Sequence, residues 1–251
     1  MAIKVHAKER IYFGLMVALG MFCYGTIFAC GYKEAFDIFQ FLPLFAYIVL
    51  FFMLSKLYLI GHIRGSAVKI LPEQFPDIYA VLKRQSELLG FSKIPNMYLM
   101  QSGGTLNAFA TRFARTNYVV LYSSVLEAAY QEGMHAVEFI IGHELGHIKR
   151  KHVYSLVHLL IFPAKLIPFL SAAYSRACEY TCDSIGYELS PQGALPGMLI
   201  LLAGNSLYKK VNVDALLNNA KAERGFLTWF AEIFSSHPLI SKRIEALQIQ
   251  N

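Results

Sequence analysis

An α+β chain, in which two N-terminal transmembrane helices precede a mainly helical domain with a small β-sheet, is what this sequence predicts. Three observations predict it. Two long uncharged runs stand near the N-terminus, two short runs rich in Tyr, Val and Leu stand in the middle, and helical spacing of apolar residues returns from about His135 onward. The 251 residues are 55% hydrophobic and 16% charged, against roughly 45–50% and about 25% in an ordinary soluble domain. The surplus apolar surface is matched to lipid. Disorder and a collagen-like fibre are excluded, and what remains beyond the membrane part suffices for one domain with its own core.

Residues 1–62 read as a transmembrane hairpin with helices over about 11–32 and 39–60, and residues 63–251 as one domain. Ile11 to Tyr32 carries no charge and at 1.5 Å per residue is long enough for the roughly 30 Å of a hydrocarbon core. A cleaved signal peptide is the rival, but its apolar region would be shorter and would end in small residues. Ile38 to Ser55 is uncharged as well, and the apolar pattern continues to Ile60 if Lys56 snorkels to the interface. Lys4, Lys8 and Arg10 precede the first helix and Lys56, Arg64 and Lys69 follow the second. Basic flanks face the cytoplasm, so the expected placement is a multi-pass protein of the plasma (inner) membrane, with its domain on the cytoplasmic side.

Next, PEQFPDIYAVLKRQSELLG has helical spacing and a natural stop at Gly90. NMYLMQ and NYVVLYSSVL read as strands. HAVEFIIGHELGHIKRKH, SRACEYTCDSIGYEL and the terminal ISKRIEALQ read as helices. The net charge of +6 is spread thinly, with no basic arm or aromatic-interleaved patch, so nucleic acid is set aside as a partner and a lipid bilayer is kept. Cys23 and Cys30 lie in the first apolar run, and Cys178 and Cys182 stand one helical turn apart. That is no disulfide framework, and it suits a reducing compartment.

The strongest chemical signal is HELGH, His143 to His147. Residues i and i+4 share a helix face, so both imidazoles can hold one Zn²⁺, with Glu144 beside them to polarise a water on the metal. Composition alone would produce the pattern in roughly 0.01 of such chains. A catalytic site needs a third protein ligand. Glu179 and Asp183, again four apart, can supply a carboxylate ligand and a partner that holds a ligand histidine. Against this stand an acidic helix surface paired with Arg176, and a closed structural site completed by Cys178 and Cys182. Residues 153–175 are apolar enough for a third crossing, but the stretch between His147 and Glu179 is shorter than the roughly 40 residues two crossings need. If Glu179 is a ligand, that segment is either a buried helix kinked near Pro163 and Pro168 or one lying in the headgroup region.

FPDIYAVLKRQSELLG, LNAFAT at Leu106 to Thr111, GHELGHI, SRACEYTCD and SHPLISKRIEAL, in this order over most of residues 72–248, resemble the HtpX-like integral-membrane zinc metalloproteases. That family also contains the CAAX prenyl protease. The resemblance implies a zincin domain of the gluzincin type, with His143, His147 and Glu179 as ligands of one zinc ion, Glu144 as general base and Asp183 as the acid after the third ligand. It also implies that Asn107 and His237 approach the substrate or the developing oxyanion. Cys182 stands where the family usually has Ala. The insert between the second His and the Glu is shorter than in typical members, so the many-helix chamber of the prenyl protease is not expected.

The expected activity is that of a membrane-anchored zinc metalloendopeptidase in membrane-protein quality control, acting on protein or peptide substrates, chiefly membrane proteins. A substrate would lie extended along the strand near Asn107, held by backbone hydrogen bonds. Two other readings stand beside it: a specific processing protease for a peptide or lipidated C-terminus, and a catalytically silent, zinc-stabilised membrane scaffold.

Overall fold

The structure, a computed structural model, describes residues 3–33, 38–101 and 108–248. It is mainly helical with one small mixed sheet. Helices α1 (Ala7–Lys33) and α2 (Ile38–Ser66) both outrun the uncharged segments. Each has a stretch long and apolar enough to cross a membrane, Ala7–Ala29 and Pro43–Ser66, of which only 11% and 6% is buried by the rest of the chain. A core helix of a soluble protein would be mostly covered.

The sheet holds β1 (Val68–Lys69), β2 (Asn96–Met100), β3 (Ala108–Phe113) and β4 (Thr116–Tyr122) in the order β1-β2-β4-β3. β2 and β4 run parallel, while β1 on β2 and β3 on β4 are antiparallel. Both faces of β4 are covered, which is why NYVVLY reads as a continuous apolar run. Val119 and Leu121 join the main core, while Tyr118 and Val120 meet Ile60 and Ile63 at the end of α2. There Lys56 Nζ donates to Thr111 Oγ1 at 3.2 Å and Arg64 donates to the Tyr118 hydroxyl at 2.6 Å. The run expected as one strand divides, because Ser123 opens α4 (Ser123–Glu132), whose LEAAYQE favours helix.

Helix α3 (Pro76–Leu88) ends as expected: Gly90 has a φ of 69°, the left-handed stop only glycine takes without strain. Helix α5 (Met134–Lys149) carries HELGH and is buried almost all round. It packs on α8 (Pro168–Leu189) and α9 (Pro191–Leu207). Residues 153–175 do not form one spanning helix. They make α6 (Ser155–Leu160), α7 (Phe162–Lys165) and the first turns of α8, and Pro163 and Pro168 each open a new helix. Helices α10 (Val213–Ala222), α11 (Phe226–Phe234) and α12 (Ile240–Gln248) complete the chain.

The seam between α5 and α8 sets the geometry of the site. A Cβ added at Gly146 would stand 3.2 Å from Cys182 Sγ, and one at Gly142 would stand 3.2 Å from the Gly186 Cα. A Cβ at Gly186 would lie 2.9 Å from the Phe139 carbonyl oxygen. Small residues on both helices therefore let the backbones approach closely. Cys182, fully buried in this seam, is small enough to serve there.

Candidate active site

Helix α5 brings His143 and His147 to one face, and the close α5–α8 approach carries Glu179 to them. His143 Nε2 lies 3.2 Å from His147 Nε2, 3.5 Å from Glu179 Oε2, and His147 Nε2 lies 3.4 Å from Glu179 Oε1. Donors about 2.0–2.1 Å from a tetrahedral ion stand about 3.3–3.4 Å apart, so the triangle fits zinc-sized coordination. Cys178 and Cys182 do not gather with His143. Among the described residues, Cys182 groups with His147 and His152, and Cys178 with Glu9 and His152. Nor are Glu179 and Asp183 an acidic surface, for both are buried. Arg176, their expected surface partner, donates instead to the carbonyls of Glu232, Ile233 and Ser235.

Each candidate histidine ligand is held from behind. His143 Nδ1 lies 2.9 Å from Asp183 Oδ1, and Asp183 accepts two further bonds from the Arg243 guanidinium at 2.8 and 2.6 Å. His147 Nδ1 lies 3.2 Å from His152 Nδ1, and His152 Nε2 lies 3.2 Å from Glu9 Oε1, which also takes the Arg150 guanidinium. Such outer contacts fix the ring orientation that a metal ligand needs. Sequence reasoning missed Arg243, His152 and Glu9. Spacing held no signal for Glu9 or Arg243, while His152, five residues after His147, was legible only as a polar residue past the helix end.

The electrostatics follow from burial and these partners. Burial opposes a charge on His143, yet the bonds with Asp183 and Glu179 push it up to about 10. Burial likewise works against ionised Glu179, but His143, His147 and His237 hold its carboxyl well below the usual range. Burial pushes the Glu144 carboxyl up, with the two histidines opposing. His237 sits on the α11–α12 connection with Nδ1 3.2 Å from Glu179 Oε2, a contact that raises its imidazole.

Glu144, the candidate ligands and His237 line a cleft of about 750 Å³, whose wall includes Ala108, Phe109 and Ala110 of β3. β3 pairs with β4 on one side and, among the described residues, with no strand on the other. Asn107 precedes it and lies outside the described residues.

The profile of peptidase family M48 matches residues 72–165 and 155–250. Among curated proteins, the chain is 26% identical over 200 residues to the plastoglobule-localized metallopeptidase 48 of Arabidopsis thaliana, aligning 70% of this chain. It spans 57% of the length of that relative. It is 23% identical to a protease HtpX homolog of Streptococcus uberis, covering 73% of this chain and 76% of the relative. A second HtpX homolog, from Helicobacter acinonychis, is 26% identical over 71% of this chain and 68% of its own length. In fold, the chain resembles the crystal structure of S. mikatae Ste24p, with a TM-score of 0.55 at 15% identity over 98% of this chain and 67% of the other. That profile covers helices α3 to α12, strands β2 to β4 and the buried His, Glu and Asp cluster alike, and the chain belongs to peptidase family M48.

Proposed function

We propose that the protein is a membrane-anchored zinc metalloendopeptidase with His143, His147 and Glu179 as zinc ligands. The observation that carries this reading is the triangle of donor atoms 3.2–3.5 Å apart, with Glu144 in the adjoining cleft wall. Zinc held there would supply Lewis acidity and lower the pKa of a nearby water toward about 7. Glu144 then takes the proton of the attacking water on its carboxylate and returns it to the leaving amine. Base and acid are the same group in turn. His237, which lines the cleft, is assigned to donate toward the developing oxyanion, and Asn107, before β3 in sequence, is assigned the same substrate side. Asp183 keeps the His143 ring aligned.

Phe109 to Phe113 of β3, which among the described residues face no second strand, offer backbone hydrogen bonds to an extended substrate, a mode that reads main chain more than side chain. Loose selectivity of that kind favours turnover of damaged membrane proteins over processing of one defined C-terminus. The domain is assigned to the cytoplasmic side of the plasma (inner) membrane, because the basic residues cluster at the outer ends of the hairpin.

Glu144→Gln tests the reading. The amide fills the same space but cannot accept the water's proton, so metal content should stay near wild type while cleavage of casein falls at least about 10²-fold. Retention of more than about a tenth of the activity would remove Glu144 as the base.

A further inference from the structure

Helix α11 reads FLTWFAEIF, and none of its residues is buried. Phe226, Leu227 and Trp229 are 70%, 80% and 56% exposed, and Phe230 and Phe234 are exposed as well. Single exposed apolar side chains are ordinary on a soluble surface, but five large ones on a nine-residue helix form a patch that calls for an occupant. The rings are contiguous. Phe226 and Phe230 stand 6.0 Å apart, Phe230 and Phe234 5.2 Å, and Phe234 meets Phe169, in the first turn of α8, at 5.3 Å.

That last contact sets the depth of α11 relative to the membrane helices. On α8, Leu170 and Tyr174 pack around Met16 together with Phe13, Val17 and Leu19 of α1. Two turns past Phe169, Arg176 binds the carbonyls that end α11. Helix α11 is therefore tied to the level of Phe13 to Leu19, which at 1.5 Å per residue lies roughly 5–15 Å along α1 from Arg10, the last charge before the apolar run. The α6–α7 turn continues the same surface. The Tyr24 hydroxyl donates to the Leu159 carbonyl at 2.6 Å, and a Cβ on Gly20 would fall 2.4 Å from the Leu160 carbonyl oxygen. Its outward side chains Leu156, Leu159 and Leu166 are exposed.

We infer that α11, the α6–α7 turn and the start of α8 form one apolar platform seated in the lipid leaflet that α1 enters, with α11 lying at the boundary between headgroups and acyl chains. Continuity with α1 selects lipid as the occupant, because a platform packed against a bilayer-crossing helix at that depth meets acyl chains before any soluble partner. Phe and Trp on one face of a short helix suit that boundary. His237 follows Phe234 by three residues and reaches Glu179, so the cleft opens beside the lipid. The seating of α11 does not depend on proteolysis.

Trp229 is the chain's single tryptophan. Tryptophan emission of the wild-type full chain, excited at wavelengths that tyrosine does not absorb, therefore reports α11 alone. The protein is reconstituted in vesicles of phosphatidylcholine with a minority of phosphatidylglycerol, with bromine placed near either end of the acyl chains. An apolar face about 5–10 Å into the boundary should give blue-shifted emission, quenched about twofold more by bromines near the headgroup than by those near the chain terminus, and spared by aqueous iodide. Emission open to iodide and untouched by bromine would overturn the proposal. Emission shielded from both would also overturn it, placing a second copy or another protein on α11 instead of lipid. Stronger quenching by the deep bromines would overturn the interfacial seating. None of these readings requires the enzyme to be active, so a failure of the proteolytic assignment would be seen separately, in the Glu144→Gln experiment.

Discussion

Four residues at i and i+4 spacing, His143 with His147 and Glu179 with Asp183, were legible as a site because helical geometry puts such pairs on one face. Their outer partners were not, since Glu9, His152 and Arg243 reach the cluster only through tertiary packing. His152 carries the larger consequence, because it is the group that holds the outer nitrogen of His147. Replacing it with Ala should weaken metal affinity about 10–100-fold, measured by competition with a chelator, while leaving the fold's helical signal unchanged. A second expectation concerns protons. In protein stripped of metal by a chelator, His143 is raised from its ordinary 6.5 to about 10. Its contribution to stability is thus full below pH 6.5 and fades as pH rises through about 10. Metal binding requires the neutral ring, so loading must release protons and affinity must fall as the pH drops. Calorimetric titration of metal at pH 7 in buffers of different ionisation enthalpy checks this: identical heats in all buffers would mean that His143 loses no proton on loading.

At the scale of elements, helices α1, α2, α3, α5, α8 and α12 and strands β2 and β4 follow from periodicity, while α4, β1 and β3 escape it. β1 is two residues long, and β3, AFATRF, mixes small and charged residues at the end of the described strand order. The α6–α7 turn resolves the apolar stretch of residues 153–175, whose two prolines each restart a helix where a crossing would need continuity. What no pattern revealed is the α5–α8 seam, because glycines signal weakness in a helix until a neighbour is known to press on them. Gly186 is its tightest point, with the Phe139 carbonyl 2.9 Å from where a Cβ would go. Gly186→Ala should force the helices apart, costing about 1–3 kcal/mol as overpacking does. Thermal unfolding should shift down by several degrees, and metal binding should weaken with it because Glu179 recedes from the histidines. An unshifted midpoint would show that the seam has slack.

At the scale of the whole molecule, both outer ends of the membrane hairpin are fastened to the domain. At the start of α1, the His6 amide donates to Thr181 Oγ1 and Glu9 pairs with Arg150. At the end of α2, Arg64 bonds Tyr118 and Ile60 and Ile63 cover the sheet. If α1 and α2 cross a membrane, a chain that leaves the domain's surface in α1 and returns to it in α2 crosses it an even number of times, an expectation that does not draw on the basic flanks. The two ends of α1 should therefore be accessible from opposite sides of the membrane. Single cysteines introduced as Lys33→Cys and Lys93→Cys, in protein whose native cysteines are replaced, separate the possibilities in intact cells. A membrane-impermeant thiol reagent should label position 33 from outside and position 93 only after the membrane is opened. Labelling of position 93 alone from outside would mean that the domain faces away from the cytoplasm, and labelling of both or of neither would mean that the hairpin does not cross. In the latter case the lipid-facing platform of α11 and α6–α7 would need a different occupant, since its depth is measured from α1.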